Sequence, residues 1–297
     1  MTMLEKGEVP GGVSLSGLFE GSFTPCAVES PGLGDYASSI VRGGWPALVG
    51  RGERTAVNAV HNYLSATFET SVVKKGGAPA LARRIAKSLA RNVGTSAGLN
   101  TIADDASQGD AGVQSRNTVS RYIDLLEELY VLEELPGWDA PVRARSRIRT
   151  KPKRYFSDPS IAAALLGVDA RRLRGDGQLL GVLFEALCVH DVAVFARALP
   201  VAGKSALCYY SDADGLEVDM VLELPDGRWG GIEVKMNDAE VPDAARSLTR
   251  LRKKVAANPM ARNPEPAFMA VLTMNSPFAY RDEEAGVYVV PFAALEP

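Results

Sequence analysis

Strict alternation of apolar and charged positions marks two neighbouring segments in the C-terminal half of the chain. Residues 217–219 are Glu-Val-Asp and residues 233–235 are Glu-Val-Lys, and both have the period of two that is typical of a half-buried strand. Pro-Asp-Gly at 225–227 lies between them and is typical of a turn. The pattern therefore predicts a β-hairpin made of residues 217–224 and 228–235.

Helical spacing of apolar residues dominates the middle of the chain. Apolar positions three and four residues apart predict helices over 55–73, 79–94, 99–106 and, from an Asn117 cap, over 117–130. A strand at 131–135 and a return strand around 154–156 follow the last of these helices. Three helices followed by a hairpin is the order of a winged helix, a relative of the helix-turn-helix motif.

The remainder of the chain predicts a second domain with a sheet. A helix at about 179–198 is followed by a strand at 208–210, the hairpin, a helix at about 242–256 and strands at 268–273 and 287–291. This order predicts a mixed sheet flanked by helices. We therefore expect an α/β chain (α+β overall), in which a helical winged-helix domain precedes a mixed sheet.

The domain boundaries follow from shifts in composition. Residues 1–54 are rich in Gly, Pro and Ser and are predicted to form a connector. Residues 55–158 are predicted to form the helical and winged-helix domain, and residues 159–297 the sheet domain.

Composition narrows the class of protein. Of 297 residues, 46% are hydrophobic and 23% are charged, which is typical of a soluble globular protein. No apolar run approaches the roughly 20 residues of a membrane span, and the first residues lack the pattern of a signal peptide. Three cysteines and two histidines are too few for a disulfide framework, a zinc cluster or a histidine-based metal site. We expect a cytoplasmic protein that does not associate with membranes.

Positive charge is concentrated in the middle of the chain. The net charge is −3, yet residues 74–174 contain 18 Lys and Arg against 11 Asp and Glu. Six basic residues recur at every second position and would project to one side of an extended segment: Arg143, Arg145, Arg147, Arg149, Lys151 and Lys153. This basic row is suited to binding the phosphates of DNA. The alternative is a loop whose charges keep an exposed edge soluble.

Acidic residues and a lysine converge in the predicted hairpin. Pairing of its strands would bring together Asp219, Glu233 and Lys235. Two carboxylates could hold Mg²⁺ or Mn²⁺ with the Val234 carbonyl as a third ligand, and a lysine could orient water or neutralise charge during phosphodiester hydrolysis. Glu185, in an apolar helix, is a further candidate ligand. The alternative is a surface hairpin with cross-strand ion pairs.

Several segments together resemble a known family. Elements of the sheet domain are similar to the C-terminal domain of unknown function (DUF4143) of prokaryotic AAA-type ATPase family proteins, and upstream segments are similar to the winged-helix part and to the junction after the ATPase module. The segments that carry the resemblance are 183–185, 209–210, 215–219 and 232–235 in the sheet domain, and 15–20, 43–46, 118–135 and 151–158 upstream.

The resemblance implies a PD-(D/E)xK restriction-endonuclease-like fold for the sheet domain and an AAA-type ATPase as a partner. The chain has no Gly-x-x-x-x-Gly-Lys-Ser/Thr loop, so we expect no ATP site and no ATPase activity of its own. The family usually has an arginine where Ser211-Asp212 stands, and a glycine where Pro159-Ser160 stands. Three readings stay open: a metal-dependent nuclease, a nucleic-acid- or protein-binding module whose nuclease-like domain is not catalytic, and an interaction platform that regulates a partner ATPase without nucleic acid.

Overall fold

The structure is a computed structural model of the whole chain, and it describes residues 1–107, 115–138, 151–199 and 207–297. These residues form two compact units, which are described separately. The helical unit contains residues 34–135 and 151–187. The described residues of the sheet unit fall within 1–33, 136–138 and 188–297.

Along the chain, short N-terminal elements are followed by a helical middle part and then by the strands of a C-terminal sheet. The first elements are β1 (Val13–Ser14), α1 (Leu15–Glu20), β2 (Cys26–Ala27), α2 (Leu33–Arg42), α3 (Glu53–Ala66), α4 (Pro79–Arg91), α5 (Leu99–Ala106), α6 (Arg116–Glu128), β3 (Leu132–Leu135), β4 (Lys153–Phe156), α7 (Pro159–Leu166) and α8 (Ala170–Arg174). The remaining elements are α9 (Gly177–Phe195), β5 (Leu207–Ser211), β6 (Glu217–Glu223), β7 (Trp229–Lys235), α10 (Val241–Ala256), β8 (Phe268–Thr273), β9 (Phe278–Asp282), β10 (Val287–Pro291) and β11 (Leu295–Glu296).

The predicted helices of the helical unit are present, with adjusted ends. The helix predicted over 55–73 is α3 followed by a π-helical turn at Thr67–Val72. The cap of helix α6 lies two residues earlier than predicted, because it is Ser115 and not Asn117. The Ser115 hydroxyl accepts the Thr118 N–H at 3.1 Å, which satisfies one of the free donors at the helix start.

A short hairpin follows α6 in the helical unit. Strands β3 and β4 pair antiparallel, with Leu132 opposite Phe156 and Leu135 opposite Lys153. The succession of α4, α5, α6, β3 and β4 is the order that the sequence predicts. All four residues of β4 are buried, so this strand is covered on both faces.

The sheet unit is built on seven strands in the order β2-β9-β10-β8-β7-β6-β5. Strand β7 pairs antiparallel with β6 and parallel with β8, and β8 pairs parallel with β10. The sheet is therefore mixed, as predicted. The helix α10 connects β7 to β8, which is the crossover that two parallel neighbours require.

The N-terminal residues belong to the sheet unit. Strand β1 pairs parallel with β11, and β2 pairs antiparallel with β9 at the edge of the seven-stranded sheet. The connector predicted for residues 1–54 thus contributes its first 33 residues to the sheet unit. The sequence analysis also missed β9, a strand of only five residues with mixed burial. The N-terminal strands and β9 are held in place by backbone pairing, which leaves little signal in the sequence of a short segment.

Helix α10 packs on the sheet through its apolar face. Val241, Leu248 and Leu251 lie in one buried cluster with Val221 and Val271 from the strands. The amphipathic spacing of the helix predicts this face. Packing of α10 here holds the β6–β7 hairpin from one side.

Helix α9 corrects one expectation. Within the described part of the chain, one helical stretch, Gly177–Ala198, is long and apolar enough to cross a membrane. No such run was expected from the sequence. The most apolar part of this stretch is 61% buried, as in the core helix of a soluble protein, and it includes Glu185 and Asp191.

Candidate active site

The β6–β7 hairpin opens at the end away from its turn. Near the turn, the Leu224 N–H donates to the Arg228 carbonyl at 2.8 Å. The strand pairing extends from there to Met220 opposite Ile232. Beyond that pair, the Val234 N–H donates at 2.9 Å to Oδ2 of the Asp219 carboxylate. A side chain thus takes the place of a backbone acceptor at the end of the pairing.

A β-bulge determines the position of Asp219. On β5, Cys208 lies opposite Val221 and Tyr210 lies opposite Val218. One residue of β5 therefore faces two residues of β6, Asp219 and Met220. Such a bulge bends the strand and turns a side chain to a new direction. It explains why Val218 and Val221, three residues apart, share one buried cluster.

Glu233 and Lys235 lie on β7 beside Asp219. Glu233 is buried, with 4% of its surface exposed. Lys235 Nζ donates to Glu233 Oε2 at 2.9 Å. On the other side of β7, Val271 lies opposite Glu233 and Thr273 lies opposite Lys235, and both are buried. The structure thus brings Asp219, Glu233 and Lys235 together at one point of the sheet.

The local electrostatics make Glu233 unusual. Burial and the nearby charge of Asp219 raise the pKa of Glu233 to about 8, although Lys235 acts in the opposite direction. Burial disfavours the charged form of Lys235, but the carboxylates of Glu233 and Asp219 hold its pKa above the ordinary value. Two carboxyls and one ammonium leave an excess of negative charge when all are ionised. Burial and this excess of negative charge together favour the protonated form of Glu233.

These residues fit a divalent cation. A proton held between two carboxyl groups occupies a place that a metal ion could take, and Mg²⁺ binds through one or two carboxylates while it retains several waters. The N–H and C=O of a residue in a strand point to the same side, so the Val234 carbonyl points towards β6, as its N–H does. Within the described ranges, no group of three His, Cys, Asp or Glu side chains could hold a metal ion. A metal here would therefore rely on Asp219, Glu233, the carbonyl and water.

Glu185 lies in the helical unit, on α9. Its Oε1 accepts the Tyr155 hydroxyl at 2.7 Å and lies 3.6 Å from Lys153 Nζ. These contacts explain how a carboxylate is accommodated in an apolar helix. Its assignment as a metal ligand remains a prediction, which these contacts do not support.

The basic row differs from its prediction at Lys153. Only 3% of the Lys153 surface is exposed, because β4 is covered on both faces, and its ammonium faces Glu185. Lys153 therefore cannot offer its charge to a phosphate backbone. Lys151 is exposed. The other members of the row, Arg143, Arg145, Arg147 and Arg149, lie outside the described residues.

The sequence analysis missed Glu240. Its negative charge contributes to raising the pKa of Lys235. Asn237 Nδ2 donates to Glu240 Oε1 at 2.7 Å, and Asn237 Oδ1 accepts the Ala239 N–H at 3.0 Å. The Asn-x-x-Glu spacing just before α10 resembles a capping box, and this signal could have pointed to Glu240.

Two family models match successive parts of the chain. Residues 33–172 match a domain of unknown function (DUF8612), and residues 180–295 match a domain of unknown function (DUF4143). The second is a C-terminal domain of AAA-ATPase-associated proteins. The resemblance inferred for the sheet domain is thereby confirmed to that extent. Asp219, Glu233 and Lys235 all lie within the DUF4143 match.

Two curated relatives share part of the chain. They are Uncharacterized protein Rv2008c of Mycobacterium tuberculosis and Uncharacterized protein Mb2031c of Mycobacterium bovis, each 29% identical over 134 residues. The matched segment covers 45% of this chain and 28% of each relative. No solved structure matches the chain.

Proposed function

We propose that this chain is a nucleic-acid-associated protein with a Mg²⁺- or Mn²⁺-dependent phosphodiesterase site of the PD-(D/E)xK type. Asp219, Glu233 and Lys235 form that site. The observation that supports it is the meeting of these three side chains where the β6–β7 pairing ends, with Glu233 buried beside a second carboxyl group. Burial of a carboxyl group costs free energy, and a hairpin that serves only as protein surface is not expected to bury one.

Each residue has a role in this proposal. When bound, a divalent cation supplies Lewis-acid polarisation of a phosphate oxygen and activation of water. Asp219, Glu233 and the Val234 carbonyl would hold it. To hold the cation, Glu233 would release its proton to solvent. The Lys235 ammonium, kept charged by its neighbours, would orient the attacking water and stabilise negative charge as it develops on the phosphate.

We further propose that α4 to β4 form a winged helix that binds DNA. The order of elements and the antiparallel β3–β4 pair support this. Helix α6 presents Arg116, Asn117 and Arg121 as exposed residues, which are types that contact phosphates and base edges. Lys151 would add a phosphate contact from the wing.

A second candidate is a non-catalytic DNA- or protein-binding module that works with an AAA-type ATPase. The absence of a cluster of three metal-binding side chains in the described part of the chain favours it. The match of residues 180–295 to a domain of AAA-ATPase-associated proteins supports the partner. Under this reading, Glu233 keeps its proton and the site is structural.

The test is cleavage of labelled single- and double-stranded DNA and RNA in Mg²⁺ or Mn²⁺. We expect metal-dependent cutting by the wild type and a loss of roughly 100-fold or more in Asp219→Asn and Lys235→Met. Asp226→Asn is the matched control, since Asp226 is an exposed aspartate in the turn of the same hairpin. It should cut as the wild type does.

The opposite results decide for the second candidate. If the wild type does not cut, or if Asp219→Asn and Lys235→Met cut as well as the wild type, the catalytic site is wrong. DNA retention that weakens steeply with salt would then indicate phosphate contacts by a binding module.

A further inference from the structure

A groove lies between the outer face of α10 and the turn that joins β9 to β10, within the sheet unit. Its volume is about 580 Å³, in the usual range of small-ligand sites. Charged residues of α10 and of the turn line it, together with the small apolar residues Pro242, Ala245 and Ala285.

The α10 wall of the groove is basic. Arg246, Arg250 and Lys253 stand four and three residues apart, so they share one face of the helix. Their backbone positions span about 10 Å along the helix axis. Phosphates of one strand repeat at roughly 3.4 Å along a duplex axis and further apart in an extended strand. Two or three phosphates can therefore meet these three cations.

Two of these cations are available for a ligand. Within the portion of the chain that the structure describes, Arg250 and Lys253 have no ion-pair partner. Arg246 pairs with Asp243, but both side chains are exposed and such a pair contributes little. By contrast, Arg252 on the same helix lies outside the groove and pairs with Glu265 at 2.7 Å.

The opposite wall is acidic and limits what can bind. Asp282 and Glu284 line it, and they would repel a second phosphate backbone. Their carboxylates can accept hydrogen bonds from the amino groups of bases, as carboxylates do from the N4 amino group of cytosine. The groove thus suits a single strand, with its phosphates on α10 and its bases towards the turn, better than a duplex.

We propose that this groove binds a single-stranded segment of nucleic acid. Helix α10 begins at Val241, shortly after Lys235 at the end of β7, so the groove would hold a strand in the same unit as the proposed site. The inference deepens the proposed function and rests on it for the identity of the polyanion. It adds a substrate class, single strands, and the residues that hold their phosphates.

The test is fluorescence anisotropy of a short labelled single strand and of the matched duplex, over a range of salt concentrations. The Asp219→Asn background in EDTA prevents cleavage, so that binding alone is measured. We expect the Arg250→Ala/Lys253→Ala variant to bind the single strand roughly tenfold more weakly, with a log–log salt slope smaller by about 1.4. Arg252→Ala is the matched control and should leave affinity and slope unchanged.

Other results would overturn the inference. These are no binding of the single strand, an unchanged affinity and slope in the double variant, an equal loss in Arg252→Ala, or an equal loss of duplex binding in the double variant. The two proposals fail separately. Binding that depends on Arg250 and Lys253 without any cleavage removes only the phosphodiesterase, and cleavage without such dependence removes only the groove.

Discussion

Two glutamates in this chain each lie beside a lysine, and their surroundings differ. In the helical unit, Glu185 lies 3.6 Å from Lys153 and accepts the Tyr155 hydroxyl. In the sheet unit, Glu233 lies 2.9 Å from Lys235, and its other neighbour is the carboxyl group of Asp219. Glu185 and Glu233 both have apolar neighbours in the sequence, so the sequence around each glutamate does not show how their surroundings differ.

The difference lies in the balance of charge. Among the described contacts of Glu185, its carboxylate faces one ammonium and accepts a hydrogen bond from one neutral donor. Around Glu233, two carboxyl groups share one ammonium in a buried place, and the pKa of Glu233 rises to about 8 as a result. An ion pair alone therefore does not indicate a functional site. A buried excess of negative charge does, because a cation can relieve it.

The largest expected effect comes from Glu233→Gln. A carboxyl group whose pKa is raised on folding binds its proton more tightly in the folded state. Its contribution to stability is therefore present below a pH of about 4.5 and lost as the pH rises through about 8. The Gln variant cannot ionise, so its free energy of unfolding should exceed that of the wild type by roughly 2–4 kcal/mol near pH 9 and match it near pH 4. Urea unfolding at both pH values measures this.

The variant Glu185→Gln should change stability in the opposite direction. Its free energy of unfolding should be lower than that of the wild type, whereas that of Glu233→Gln should be higher near pH 9. The buried ammonium of Lys153 would lose the negative charge of Glu185 that lies beside it. Breaking a buried pair costs about 3–5 kcal/mol, and we expect about 2 kcal/mol because the Glu185 side chain is 24% exposed. Loss of stability near pH 9 in both Gln variants would show that the two environments are alike.

A smaller effect is expected from Tyr155→Phe. The change removes the hydroxyl that donates to Glu185 at 2.7 Å and leaves the ring in place. A hydrogen bond to a charged group contributes about 1.5–3 kcal/mol, so we expect a loss near the lower end of that range. Thermal unfolding beside Tyr130→Phe checks it. Tyr130 is 82% exposed, and its variant should stay within about 0.5 kcal/mol of the wild type; equal losses would contradict a structural role of the Tyr155–Glu185 contact.

Much of the fold could be predicted from sequence periodicity. The hairpin of β6 and β7, α5 with its exact ends, and the apolar face of α10 follow from local patterns. The pairing of β1 with β11 and of β2 with β9 could not be predicted, because two-residue strands have no periodicity. Their places depend on backbone partners far away in the chain.

The meeting of Asp219, Glu233 and Lys235 could be predicted from the sequence, but its geometry could not. Alternation along each strand placed Asp219, Glu233 and Lys235 near one another. It gave no sign of the bulge opposite Tyr209 or of the Val234 N–H bond, which together fix Asp219. The prediction that Lys153 is exposed was wrong because it assumed that one face of the strand is open to solvent, whereas both faces of β4 are covered.

The central claim is that Glu233 holds a proton that a divalent cation replaces. Calorimetry of Mg²⁺ or Mn²⁺ binding near pH 7, in two buffers of different ionisation enthalpy, tests it most directly, because the difference in heat counts the protons released. The account predicts release of about one proton for each ion bound by the wild type, and none in Glu233→Gln. Equal heats in both buffers, or proton release that persists in Glu233→Gln, would contradict it.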